Sequence, residues 1–288
     1  METHPPEQVG CTLCGTIARI WLIKNGHRVY TCPACRLAFV HPLPGTLEGL
    51  YGEDYFAGAE EGFGYVDYDA DKEPMVGAFL KYLAIIRQYR LTATSLFDVG
   101  AATGFFLDVA RKNGFAVAGV ELSEYAAAAA RQKGIAVATG TLSEAEGSYD
   151  VITMLDLIEH VPDPRAELKN AHSLLASGGL LVINTPDRGS PYAKLMGKGW
   201  HLIVPPEHLY YFNRRNLAQL LAECGYRVVL TTTIGKNFTL PYILRTLHGW
   251  LGWGIFGTLA DWSGNTFLRH VTLPINLGDN MFVIAEAV

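Results

Sequence analysis

The hydrophobic and polar positions change period along the chain. Ile17 to Tyr30 alternates with the two-residue period of a strand. The alternation is interrupted by Asn25-Gly26, a pair suited to a tight hairpin turn. Met75 to Tyr89 carries apolar residues at 75, 76, 79, 80, 83 and 86, the spacing of an amphipathic helix. From Ser95 onward, short apolar runs alternate with helical segments. Strands are predicted at 95–99, 115–120, 135–138, 149–154 and 179–184, and helices at about 104–113, 123–133 and 164–176. Ser123 suits a helix N-cap, and Gly114 and Gly134 stand just past helix ends. A helix at 214–224 ends at Gly225, a strand follows at 226–233, and "NMFVIAEAV" reads as a last strand. This alternation predicts an α/β fold, a parallel sheet covered by helices on both faces.

Two segments interrupt the pattern. After the linker His41-Pro-Leu-Pro-Gly45, residues 46–74 are rich in Gly, Tyr and acids, with too many aromatics for a disordered linker. They read as a loop that folds over a site. Lys236 to Gly278 contains a Gly- and Trp-rich apolar run, Trp250 to Trp262. A packed cap, a substrate cover, a dimer interface or a peripheral membrane contact through 238–262 are the readings it allows.

Composition narrows the class. The chain has 288 residues, 49% hydrophobic and 18% charged, enough for a large globular domain with an appendage. A net charge of -5 gives no reason to expect nucleic-acid binding. No apolar run reaches the roughly 18 residues of a membrane span. The polar start, Met1 to Gly10, has no signal-peptide core, so a cytoplasmic location is expected. Four of the five cysteines form two knuckles, Cys11-Thr-Leu-Cys14 and Cys32-Pro-Ala-Cys35, separated by 17 residues. That spacing predicts a zinc ribbon over about residues 1–40, with a structural Zn2+ closed by Cys11, Cys14, Cys32 and Cys35. Disulfides or free thiols are the alternative, disfavoured without a secretion signal. Cys224 lies on the apolar stripe of the 214–224 helix and reads as core.

The stretch "LFDVGAATGFF" joins the first strand to its helix through a loop with two glycines, Gly100 and Gly104. It matches neither the three-glycine dinucleotide fingerprint nor the lysine-ending phosphate loop. Glu121 ends the second strand, 17 residues after Gly104. A carboxylate there can accept both hydroxyls of a ribose. Together these features point to a nucleoside ligand without a pyrophosphate, and S-adenosylmethionine (SAM) fits.

At these motifs the sequence resembles the class I SAM-dependent methyltransferases, over roughly residues 95–235. "LFDVGAATG" is similar to the family's first motif, with Ala102 replacing its middle glycine, and "GVELS" to the ribose motif. "YDVITMLDLIEHVPDP" and "LLASGGLLVINTP" are similar to the fourth- and fifth-strand motifs. The resemblance implies a Rossmann-like seven-stranded, mostly parallel sheet. It implies a domain at 93–288 with a cap insertion at about 236–277, preceded by a linker and helical lid at 41–92. It places Asp98, Gly100, Ala101, Gly104 and Phe105 at the methionine end of SAM, Glu121 on the ribose, and Leu122, Thr141 and Leu142 at the adenine. Glu144 is a substitute for the acid that often meets the adenine amino group. Asp156 stands at the junction of cofactor and acceptor. "EHVPDP" resembles the ubiquinone-biosynthesis O-methyltransferases. "PPEHLYYF" and the knuckle layout resemble the zinc-ribbon sugar C-methyltransferases, which carry a further C-terminal domain.

Methyl transfer to an alcohol needs a base near its proton, and a neutral histidine suits that near pH 7. His208 and His160 are the candidates, each following a glutamate, Glu207 and Glu159. His160 has a structural reading too, a hydrogen bond ahead of the helix that starts at Pro162-Asp-Pro164. Trp200, Tyr210 and Tyr211 read as pocket wall or as core, and His201 as a weaker base. The expected activity is O-methylation of a small molecule, glycan or lipid-linked acceptor by a monomer or homodimer. C- or N-methylation of a sugar or natural product is the rival, and a non-catalytic zinc-ribbon binding module is the rival of another class.

Overall fold

The structure, a computed structural model, describes residues 8–44, 56 and 68–288. Most of the loop expected at 46–74 therefore lies outside the described residues, as does the start of the chain.

In chain order, β1 (Arg19–Lys24), β2 (His27–Thr31) and β3 (Ala38–Val40) come first. Helices α1 (Tyr68–Lys72) and α2 (Val76–Tyr89) follow. Then β4 (Ser95–Val99), α3 (Phe105–Lys112), β5 (Ala116–Glu121), α4 (Glu124–Gln132) and β6 (Ala136–Thr139) alternate. After them come β7 (Tyr149–Leu155), α5 (Pro164–Leu174), β8 (Leu175–Pro186), α6 (Pro191–Met196), the two-residue β9 (Tyr210–Tyr211) and α7 (Arg214–Glu223). The last elements are β10 (Tyr226–Thr232), β11 (Lys236–Thr239), α8 (Leu240–Leu251), α9 (Gly254–Gly264), β12 (Thr272–Ile275) and β13 (Asn280–Ala287).

Seven strands form the central sheet in the order β10-β13-β8-β7-β4-β5-β6. It is mostly parallel and flanked by helices, as the alternating pattern predicts. The exception is β13, antiparallel to both neighbours. Its strands read as near-continuous apolar runs because both faces are covered. Val151, Ile152, Leu181, Val182 and Ile183 are fully buried.

The chain divides into two compact units. The first comprises residues 1–47, 142–233 and 278–288. Its cysteine-bearing hairpin belongs to a second sheet, ordered β1-β2-β3-β9. Asn25 and Gly26 both take positive φ, 50° and 77°, which the tight turn between β1 and β2 requires. Helix α5 is capped by Asp163, whose carboxylate accepts the Arg165 and Ala166 N–H groups, with Pro164 in the first turn. Asp163 thus supplies the N-terminal hydrogen bonds that the structural reading of His160 allowed for. Cys224 is buried, as its place on the apolar stripe predicts.

The second unit comprises residues 48–141 and 234–277. Ser123 caps α4 by accepting the Ala126 N–H. The 236–278 segment folds as a two-stranded sheet, β11-β12, with α8 and α9 between its strands.

Candidate functional site

In the second unit, β4 delivers the chain into Gly100–Gly104. Gly100 and Gly104 both have φ of 74°. Ala102, at the position of the missing glycine, also lies in the left-handed region with φ 48°. The loop thus keeps a glycine-like bend without the glycine. The Ala102 methyl packs with Phe56, Ala126 and Tyr68. Asp69 on α1 accepts the Thr103 hydroxyl and pairs with Lys133, whose ammonium also reaches the Thr103 carbonyl. The sequence carries no local signal for this strap, because Asp69 sits in an acidic stretch.

Glu121 is buried at the end of β5. Its two oxygens accept the Ala102 and Ser123 N–H groups, at 2.8 and 2.9 Å. Burial raises its pKa, and these backbone bonds oppose the rise. The Leu122 N–H also bonds this carboxylate, and of its about four lone-pair sites one remains for a ligand hydroxyl. Below the loop, a Cβ on Gly119 would stand 2.8 Å from the Asp98 carbonyl and 2.9 Å from the Ala101 methyl. Asp98 and Ala101 are buried, Phe105 is half-buried, and Leu122 and Thr141 are exposed. The loop and its carboxylate therefore fit a nucleoside hydroxyl.

In the first unit, two Glu-His pairs interlock. Glu159 is buried, and one of its carboxylate oxygens accepts the Thr185 hydroxyl at 2.8 Å. The Glu159 carbonyl accepts the Leu209 and Tyr210 N–H groups, at 2.8 and 3.1 Å. The His160 Nδ1 meets the Glu207 carbonyl at 3.0 Å, and the His208 Nδ1 meets the Leu202 carbonyl at 2.8 Å. A carbonyl only accepts, so both rings carry their proton on Nδ1, and Nε2 is the acceptor nitrogen. The rings meet edge to face with centroids 4.7 Å apart. Burial pushes the pKa of His160 down to about 4, with Asp156 opposing, and that of His208 down to about 3. Both are neutral near pH 7. Ligand atoms of Glu159, His160 and His208 lie within 4.8 Å of one another, close enough to share a cation. Glu207 has one oxygen buried without a hydrogen-bond partner, and burial pushes its pKa up to about 7.

Asp156 is exposed at the end of β7, with φ 55°. The Asn184 amide donates to its carboxylate at 2.5 Å, and Asn184 is itself buried with its Oδ1 unpartnered. The sequence marks Asn184 and Thr185 only as a polar pair closing the apolar run of β8. Trp200, Tyr210 and Tyr211 are buried. The Trp200 indole N–H donates to Asp279, which also lies 3.7 Å from His201. Leu142 is buried in a single turn, and Glu144 is exposed.

The four knuckle cysteines converge. Sγ atoms of Cys11 and Cys35 are 3.6 Å apart, those of Cys14 and Cys32 are 3.5 Å apart, and all four lie within 4.8 Å. A tetrahedral zinc with sulfurs at about 2.3 Å spaces them about 3.8 Å apart. A disulfide needs about 2.05 Å. The donor set fits zinc.

A family model described as "Methyltransferase domain" matches residues 68–231, more than half of the chain. The chain belongs to the methyltransferase domain family. The membership expected from the four sequence motifs, class I and SAM-dependent, is thereby shown. Among curated methyltransferases, the ubiquinone biosynthesis O-methyltransferase of Pseudomonas paraeruginosa (strain DSM 24068 / PA7) is 32% identical over 108 residues, covering 34% of this chain and 47% of that protein. The chain thus spans about half the length of that relative. The protein of the same name from Histophilus somni (strain 2336) is 28% identical over 171 residues, 49% of this chain and 71% of its own. Among solved methyltransferases, the magnesium protoporphyrin IX methyltransferase of Synechocystis PCC 6803 with bound SAH aligns with a TM-score of 0.50 at 16% identity, covering 79% of this chain and 90% of that one. That likeness shows the fold.

Proposed function

We propose that this methyltransferase uses SAM to methylate a hydroxyl of a small molecule, glycan or lipid-linked acceptor, with His208 as the base. The observation that carries this reading is the hydrogen-bonded placement of the His208 ring. The Leu202 carbonyl fixes the His208 proton on Nδ1 and turns Nε2 into a proton acceptor. SAM supplies a methyl group already activated on a sulfonium, so the chain's own task is to bind, align and deprotonate. Glu121 and the Gly100–Gly104 loop would hold the ribose and amino-acid ends, with Asp98, Ala101, Phe105, Leu122, Thr141 and Leu142 around them. Asp156 and Asn184 would line the acceptor side. His208 Nε2 would take the hydroxyl proton as oxygen gains the methyl group, and His160 and Glu207 would orient it. The O-methyltransferase names of the curated relatives support an oxygen acceptor, and the SAH-bound neighbour supports SAM. Calorimetry with SAM tests the cofactor reading; no binding at millimolar SAM would return the chain to a binding module. A methyl-transfer screen against glycans, quinols and polyketides tests the acceptor. C- or N-methylated products from that screen would overturn the hydroxyl.

Zinc is part of this reading, carried by the sulfur geometry. About one zinc per chain is expected by elemental analysis, and zero with reduced thiols would remove it. The need for thiolates agrees with a cytoplasmic location. Among the described residues, no helix is long and apolar enough to cross a membrane. A peripheral contact is a further part of the reading. Ile255, Leu259 and Trp262 stand exposed at i, i+4 and i+7 on α9, beside exposed Trp253 and Phe267. Co-sedimentation with anionic lipid vesicles tests it, and loss of binding in Trp253→Ser/Trp262→Ser is expected. Sedimentation velocity, which separates a monomer from a homodimer, tests whether a second copy covers the stripe instead.

A further inference from the structure

We propose that the cysteine ribbon is a positioning element for the segment carrying His208, resting on the reading that zinc fills the ribbon and that His208 is the base. The strand β9 has two residues, too few to hold its own place. It is held as the fourth strand of the ribbon's sheet, with Ala38 opposite Tyr211 and Phe39 opposite Tyr210. The ladder continues to Leu209, the residue next to His208. The Leu209 carbonyl accepts the Val40 N–H of the ribbon at 2.8 Å. The Leu209 N–H donates to the Glu159 carbonyl, beside His160, also at 2.8 Å. Leu209 is fully buried and is gripped from both sides, by the ribbon on one and by the His160 loop on the other.

Both knuckles reach the same region. In the second, the Cys35 carbonyl accepts the Asn216 amide at 3.3 Å and the Asn213 amide at 3.4 Å. The Arg36 carbonyl accepts Arg188 Nη1 at 2.9 Å. Arg36 is in the left-handed region, φ 61°, a conformation the surrounding bonds must hold. Asn216 is fully buried and divides its two polar atoms, Nδ2 to Cys35 and Oδ1 to the Asn213 N–H. That closes the capping box of α7, the helix just after β9. In the first knuckle, Thr12 reaches the Tyr210 hydroxyl, which donates to the Pro162 carbonyl of "EHVPDP" at 2.9 Å.

Metal binding and folding are one equilibrium in ribbons of this size. Loss of zinc would free the knuckle carbonyls and β3. The Leu209 carbonyl and the Asn216 amide would then lose their partners inside the protein. The consequence falls on the backbone beside His208, while the Glu121 loop in the other unit keeps its own bonds.

The test uses the full chain, stripped of zinc by a chelator with thiols kept reduced. Amide hydrogen exchange, SAM affinity by calorimetry and turnover are compared before and after, and again after zinc is restored. Exchange at residues 207–212 should quicken, and kcat should fall at least about tenfold, while the SAM Kd stays within about twofold. Zinc should restore both. Unchanged exchange at 207–212, or SAM affinity lost in step with the fold, would overturn the proposal. Tyr210→Phe keeps zinc, ring and strand but removes the hydroxyl bridge. It should quicken exchange at Leu209 and lower kcat without altering the SAM Kd, and parental values for both would also overturn it. Faster exchange with unaltered turnover would leave the coupling in place and remove His208 as the base instead.

Discussion

Between Gly100 and Glu121, the second unit holds one carboxylate with backbone N–H groups, and the longest of its bonds in sequence spans 19 residues. The first unit brings His160 onto the Glu207 carbonyl across 47 residues. It then braces the result with a ribbon whose Val40 N–H meets the Leu209 carbonyl from the far end of the chain. One region is local, made of a strand end, a loop and the next strand end. The other is assembled from four distant segments. A local site should fail by losing affinity when one atom is changed. An assembled site should fail by losing turnover when any one of its supports is removed.

The largest expected effect tests that division directly. His208→Ala should cut turnover about 10²-fold or more and leave SAM affinity intact. Unchanged turnover would move the base to His160 or dispense with one. A parallel loss of SAM affinity would show that the two regions are not separable. The converse is Glu121→Gln. The amide offers one accepting oxygen where the carboxylate has two, with the Ala102 and Ser123 N–H groups to satisfy as well as a ribose. Hydrogen bonds to a charged group are worth about 1.5–3 kcal/mol, so SAM should bind roughly 10- to 100-fold more weakly. Calorimetry measures it, and parental affinity would remove Glu121 from the ribose.

Protonation separates the regions next. His160 and His208 have pKa values near 4 and 3, below the ordinary 6.5. Such groups give stability that is complete above pH 6.5 and is lost as pH falls, because the unfolded chain binds the protons first. Glu207, raised to about 7 from 4.5, acts in the opposite sense, and its stability is lost as pH rises through that range. Glu121, also raised by burial, shares the sign of Glu207. His160→Gln should therefore remove about 1.4 kcal/mol per pH unit of slope between pH 4.5 and 6.5. Denaturant titrations at three pH values measure it, and a slope equal to the parent's would mean that His160 is not held neutral.

The same division decides what the sequence discloses. Strand and helix boundaries from β4 to α7 follow from the apolar period and its glycines because both are local. Asp98, Gly104 and Glu121 could be picked out for the same reason, as each sits at a strand end or helix start. The knuckles were legible because metal geometry is written into the cysteine spacing. His160 and His208 were legible as residues, but their pairing was not, since no local period links positions so far apart. The partners Asn184, Thr185, Asn213 and Asn216 were silent for a related reason. Asn213 and Asn216 look like an ordinary helix start, which they are, and their second hydrogen bonds go to Cys35 and Arg36. The contribution of β9 was hidden because two residues carry no period.

The smallest expected effect concerns Ala102, where the local region departs from its own rule. Its φ of 48° costs an alanine about 1 kcal/mol, and glycine would relieve that. Two opposing effects come with the exchange. The methyl is buried against Phe56, Ala126 and Tyr68, and removing it forfeits about 0.8 kcal/mol. Glycine also loses about 0.5–1 kcal/mol more backbone entropy on folding than alanine. Ala102→Gly should therefore stay within about 1 kcal/mol of the parent, on the destabilised side, with the N–H bond to Glu121 and the SAM affinity kept. Gly104 permits no comparable exchange, since a Cβ there would stand 2.9 Å from the Ala130 methyl and 3.1 Å from Ile135. Thermal unfolding with and without SAM measures the Ala102 variant. A destabilisation beyond about 3 kcal/mol would exceed what burial of one methyl can supply, and would make the contact with Phe56 and Tyr68 a structural anchor of the loop rather than a tolerated replacement for glycine.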